Sequence, residues 1–149
     1  MAANTLAILG RTSDLQLGGT VVGTTANTAT DGTGAGNTLI YTADATEGSI
    51  VQFVRLKAIS TIAATVVRIW YCSATGAYTA GTTNTAANTT MVAEISVVAW
   101  TASNTAASPV YDIPVLIPMP ASTKLLISFG TSTGAGTTGF NPLTVAMKY

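Results

Sequence analysis

The sequence predicts an all-β chain, an antiparallel β-sandwich, and three observations carry that expectation. The stretch from Ser49 to Cys72, SIVQFVRLKAISTIAATVVRIWYC, alternates in both of its halves. Side chains of an extended strand point to opposite faces in turn, so this is the pattern of two half-buried strands. Similar segments recur at short spacing after Asn37, separated by loops of Thr, Ala, Gly and Asn. No segment carries a helical period. Even strand spacing with long polar loops narrows the expectation to a sandwich of jelly-roll kind.

Residues 1–36 are expected to stand apart as an extended N-terminal arm, with the sandwich domain spanning 37–149. The patch Leu6-Ala7-Ile8-Leu9 is followed by Gly10-Arg11, then by Gly18-Gly19-Thr20-Val21-Val22 and a glycine-rich run low in apolar residues. Such a composition buries too little to order itself alone. Two readings stay open: a loose terminus, or an arm that orders on a partner through Leu6, Ile8, Leu9, Val21 and Val22.

Within the body, Thr38 to Thr42 is a first short strand, followed by a turn from Asp44 to Gly48. In the central pair, Val54, Leu56 and Ala58 share a face opposite Arg55 and Lys57. Val67, Ile69 and Tyr71 likewise oppose Val66, Arg68 and Trp70. The small-residue connection Ser60 to Ala64 joins the two, most simply as neighbouring antiparallel strands. Ser73 to Thr90 reads as a long loop with Tyr78 as its anchor. Met91 to Val97 alternates as the next strand. In the one that follows, around Tyr111 to Ile117, Pro114 donates no ladder hydrogen bond and so belongs at a sheet edge or a bulge. Leu125, Ile127 and Phe129 mark another strand, and Leu143, Val145, Met147 and Tyr149 share a face of the last. The expected core is Val54, Leu56, Val67, Ile69, Ile95, Ile113, Ile127 and Val145. The tripeptide Asn-Thr-Ala at 27, 84 and 104 reads as compositional bias.

A chain of 149 residues is long enough for one domain with a real core, free of any need for disulfides or metal. Charged residues make up 8% and sum to zero net charge, where about a quarter is usual. A neutral chain has no field to hold a phosphate backbone, so nucleic acid is not an expected partner. Threonine, at 28 residues, takes the place of charge. A polar, nearly uncharged surface packs against a neighbour with few ions to strip of water, which favours assembly.

The same inventory speaks against catalysis and cofactors. One cysteine, Cys72, and no histidine leave zinc without its usual ligands and a nucleophile without its usual base. The glycine-rich runs at 31–36 and 130–139 lack the Gly-Lys-Ser/Thr ending of a phosphate-binding loop. No secretory signal and no membrane-length apolar run is present. The chain is therefore expected to stay in the cytoplasm where it is made, or to join an assembly there. Trp70 sits on the face assigned outward, beside Val66 and Arg68, and is odd for a solvated surface. Either the face assignment is inverted or that face is covered by a second sheet or another subunit; the covered face is the expectation, and makes Val66, Arg68 and Trp70 candidates for a subunit interface.

The blocks LIYTADATEGSIVQFVRLKA (39–58), TVVRIWYC (65–72), AEISVVAWTASNTAASPVYDIPVLIPMPASTKLLISFGT (93–131) and the closing LTVAMKY resemble small virion proteins of tailed bacteriophages. The resemblance covers about three-quarters of the chain, leaves out the first 36 residues, and carries no catalytic signature. It implies a non-enzymatic structural protein made in the host cytoplasm and carried on the phage head. Within that group it points to a capsid decoration or cement protein, a homotrimer bound to the major capsid protein. The alternative is a tail or head-fibre module that recognises a host glycan through Trp70, Trp100, Tyr41, Tyr78 and Tyr111.

Overall fold

The computed structural model describes residues 12–18, 22–134 and 138–149. Among them are eight strands and no helix: β1 (Thr12–Leu17), β2 (Thr38–Thr42), β3 (Ser49–Ala58), β4 (Thr65–Cys72), β5 (Thr89–Val97), β6 (Val110–Met119), β7 (Lys124–Phe129) and β8 (Phe140–Lys148). They form two four-stranded antiparallel sheets, ordered β1-β8-β3-β6 and β2-β7-β4-β5. The sheets pack face to face over a core that includes Val54, Leu56, Val67, Ile69, Ile113, Leu125, Ile127, Phe129 and Phe140. The expected β-sandwich is present.

Alternation does its work within each strand. In β3, Val54, Leu56 and Ala58 are fully buried while Arg55 and Lys57 are exposed. Pro114 lies on β6, an edge strand, beside a register shift opposite Gln52. Both of the sites open to a strand proline are thus combined.

Several expectations are corrected. β3 and β4 are not neighbours; they lie in different sheets, and the connection between them crosses the end of the sandwich. Ile62 drives that crossing: it is 2% exposed, plugs the core, and exchanges two backbone hydrogen bonds with Trp100 (2.9 and 3.0 Å). The stretch assigned to an arm is partly built into the fold. Residues 12–17 form β1 along β8, and Val22 is 1% exposed and bridged to Phe140. Burial therefore removes Val22 from any partner contact. Leu6, Ile8, Leu9 and Val21 lie outside the described residues.

Val145 is the other correction. On β8 the core face is Phe140, Pro142, Thr144 and Ala146, whereas Leu143, Val145 and Met147 face away from the opposite sheet and are half-buried. Ile95 is half-buried and packs against the core. From Phe140 to Met147 both alternating sets of β8 are uncharged, and the strand's one charge, Lys148, falls at its end on the inward set, so polarity did not say which set faced inward.

β1 escaped detection for a related reason. Its Asp14 and Gln16 point toward β2 while Leu15 and Leu17 point out, 61% and 79% exposed. Asp14 accepts a hydrogen bond from the Tyr41 hydroxyl (2.8 Å). Gln16 donates to the Thr42 carbonyl and accepts from the Thr42 amide, both at 3.1 Å. These polar stitches close one side of the sandwich and invert the usual pattern of a half-buried strand.

Candidate interaction surfaces

The two sheets present very different outer faces. On the β2-β7-β4-β5 sheet, Leu39, Leu126, Trp70 and Met91 form a row across four strands. Trp70 and Leu126 are at most 1% exposed, and every residue of β7 is buried. Part of the cover is the chain's own loop after β4, which lays Ala74 and Tyr78 over this row. The cover expected from a second sheet or another subunit is thus supplied within the chain. Trp70 offers no surface to a partner, and its indole N–H donates to the buried Ser128 hydroxyl (2.8 Å). Val66 and Arg68 stay partly exposed; Arg68 pairs with Glu94 (2.9 Å) and donates to the Asn27 carbonyl (3.2 Å).

Asparagines hold this cap in place, and sequence reasoning missed them. Asn84, 1% exposed, donates to the carbonyls of Gly32 (2.8 Å) and Gly34 (3.1 Å) and accepts from the Gly81 amide (2.8 Å). Asn27 donates to the Thr33 carbonyl and to Asn37 Oδ1, both at 2.9 Å, and Asn37 donates to the Gly32 carbonyl (2.7 Å). The Tyr78 hydroxyl donates to the Asn37 carbonyl (2.9 Å), and burial pushes its pKa up to about 12. A primary amide both donates and accepts, so it can bind loop carbonyls and amides together without burying a charge. Two of the three Asn-Thr-Ala tripeptides therefore begin with a buried clasp, Asn27 and Asn84, whereas Asn104 is exposed. Their recurrence was the available signal.

The glycine-rich run 31–36 belongs to this clasp. Gly34 has a φ of 99°, and a Cβ there would stand 2.7 Å from Asn27 Oδ1. Backbone shape and close approach, the two things only glycine permits, explain that position.

The outer face of the β1-β8-β3-β6 sheet has no such cover among the described residues. Strand register sets Leu15, Val145, Phe53 and Pro114 in one row, and Leu17, Leu143, Arg55 and Asp112 in the next. Leu15, Leu17, Val110 and Leu116 are 61%, 79%, 50% and 73% exposed. Of the charges on this face, Arg55 grips Asp112 with two 2.7 Å hydrogen bonds and lies 5.7 Å from the Phe53 ring centre, while Lys57 is exposed. The guanidinium holds the Asp112 carboxyl below its ordinary range. Leu116 carries a φ of 51°, which a bulky side chain seldom adopts.

The aromatic residues named for a glycan surface do not form one platform. Tyr41 and Trp70 are buried; Trp100 and Tyr111 pack against the main core, and Tyr78 against the outer cluster around Trp70. An open polar depression of about 300 Å³ is lined by residues that include Tyr71, Ser73, Asn88 and Thr90. Cys72 is buried with its sulfur 3.7 Å from Asn88 Oδ1. Lys124 is 3% exposed, and its ammonium donates to the carbonyls of Ala74 (2.8 Å) and Ser122 (3.1 Å), tying the cap loop to the turn before β7. Among the described residues no three His, Cys, Asp or Glu side chains are grouped to hold a metal ion, and no helix is long and apolar enough to cross a membrane. No family model, curated protein or solved structure matches this chain.

Proposed function

We propose that this chain is a structural component of a tailed-bacteriophage virion, a decoration or cement protein that binds the major capsid protein and braces the head shell. In this reading it acts as a homotrimer, without enzymatic activity or cofactor, and reaches the virion from the host cytoplasm. The observation that carries the reading is an apolar outer sheet face, uncovered among the described residues, on a chain with 8% charged residues. Apolar sheet surface in water favours association, and a nearly uncharged surround adds little desolvation cost. The phage assignment rests on the sequence resemblance. The winding is read as a jelly roll: strands 1, 8, 3 and 6 in one sheet and 2, 7, 4 and 5 in the other support it.

The direct experiment is co-sedimentation of the purified full chain with head shells that lack decoration. Saturable binding at a fixed ratio to the major capsid protein is expected. A chain starting at Thr12, without Leu6, Ile8 and Leu9, keeps β1 and Val22 and is expected to bind more weakly. Failure of the full chain to bind any shell, with binding to host-cell glycans instead, would replace this reading by the receptor-binding one.

A further inference from the structure

We propose that the outer face of the β1-β8-β3-β6 sheet is the surface through which copies of this chain associate. The proposal rests on the reading of the chain as an assembling structural protein and names the surface that assembly uses. The first ground is asymmetry. The chain covers the outer face of one sheet with its own loops, clasped by buried asparagines, and among the described residues nothing covers the other face. The open face carries leucines at both flanks, Leu15 and Leu17 on edge strand β1 and Leu116 on edge strand β6. Between them run Leu143, Val145 and Phe53. Scattered exposed apolar residues are ordinary, but a row continuous across four strands is not.

The second ground is size. Four strands at about 4.8 Å spacing make a face about 19 Å wide, and strands of six to ten residues make it about 20–33 Å long. The projection is about 500 Å², and the accessible surface of a corrugated sheet is larger. That approaches the ~800 Å² per partner of a standard interface.

The third ground is charge, and it selects the occupant. Arg55 pairs with its own Asp112, so their row adds no net charge where copies meet, and among the described residues exposed Lys57 is the residual charge on this face. With Lys57 as the single residual charge among those residues, a strongly basic or acidic partner would find little complementary field here. A second neutral copy of this chain, with zero net charge, fits.

The test is the mass of the full chain in solution by light scattering, from about 1 to 100 µM, beside the double variant Leu15→Lys, Leu116→Asn. Both side chains are more than half exposed, and asparagine tolerates the positive φ at position 116, so the variant should fold. Circular dichroism and Trp70 fluorescence verify that it does. The expected result is an oligomer for the natural chain and at least about 100-fold weaker association for the variant, since two leucines leave the contact. A natural chain that is monomeric at 100 µM overturns the proposal, as does a variant that associates equally well. A chain lacking residues 1–11 that associates when the full chain does not also overturns it, because the face is then covered by its own N-terminal segment. A natural chain that stays monomeric yet binds shells refutes this surface alone, whereas a natural chain that associates without binding shells refutes the capsid reading alone.

Discussion

Replacing Asn84 by alanine isolates the clasp that covers Trp70. Four hydrogen bonds leave with the amide: two to the Gly32 and Gly34 carbonyls, one from the Gly81 amide and one from the Tyr78 hydroxyl (3.2 Å), which keeps its bond to the Asn37 carbonyl. Neutral hydrogen bonds contribute about 1 kcal/mol each on balance, so about 4 kcal/mol is the upper figure. Gly81 is exposed and its amide can be rehydrated, while the Gly32 carbonyl keeps its bond from Asn37. About 2 kcal/mol is therefore expected. With a urea dependence of about 2 kcal/mol per molar for a chain of this size, the unfolding midpoint should fall by about 1 M. In a Trp100→Phe background, where Trp70 is the sole tryptophan, emission should shift to the red as the cap loosens, and proteases should cut within 73–88 before the sheets unfold. Asn84→Asp keeps an acceptor for Gly81 but turns a carboxylate oxygen toward two carbonyls. It should cost at least as much at neutral pH and recover in part when protonated. An Asn84→Ala midpoint within 0.3 M of the natural chain, roughly the resolution such extrapolations allow, with Trp70 emission unchanged, would show that the loop is held by something else.

Other substitutions separate the inner from the outer face. Ile69→Ala, at a fully buried core site, should destabilise by about 2–5 kcal/mol, whereas Val145→Ala on the half-buried outer face should cost clearly less in the monomer. Equal losses in denaturant titrations would mean that β8 faces the other way. Gly34→Ala meets both a φ of 99° and Asn27 Oδ1 at 2.7 Å, so a loss of about 1–3 kcal/mol is expected; calorimetry would detect no change if the loop were free to move. Asp44, Asp112 and Asp31 all have pKa values held below the ordinary carboxylate value of 3.8. The main causes are, in turn, hydrogen bonds from the Thr46 and Glu47 amides, the Arg55 guanidinium, and the Thr33 hydroxyl and amide. Depressed folded values mean that their stabilisation is complete above pH 3.8 and is lost as pH falls through the lowered values. Melting temperature should drop in that window, and Asp44→Asn should flatten part of the drop.

The sequence by itself determined the class of this fold and most of its strands. Period-2 alternation is a local property, and Val54, Leu56, Val67 and Ile69 announced their common burial without reference to any partner. It also located Pro114 at an edge, because a missing donor is a property of the residue. Tertiary structure alone decided which strands pair. The six residues between β3 and β4 could close a hairpin or cross between sheets, and the plug made by Ile62 against Trp100 settles it. Only tertiary structure decided which face of β8 is inside, since Val145 and Ala146 differ too little in polarity for pattern to rank them. The same holds for β1, whose inward Asp14 and Gln16 are tolerable only because Tyr41 and Thr42 stand opposite to satisfy them. The cap over Trp70 lay furthest from view. Asn27, Asn37 and Asn84 look like ordinary loop asparagines until the first two close the 27–37 loop on itself and the fold brings its Gly32 carbonyl to Asn84 from 52 residues away, and such bonds leave no periodic trace.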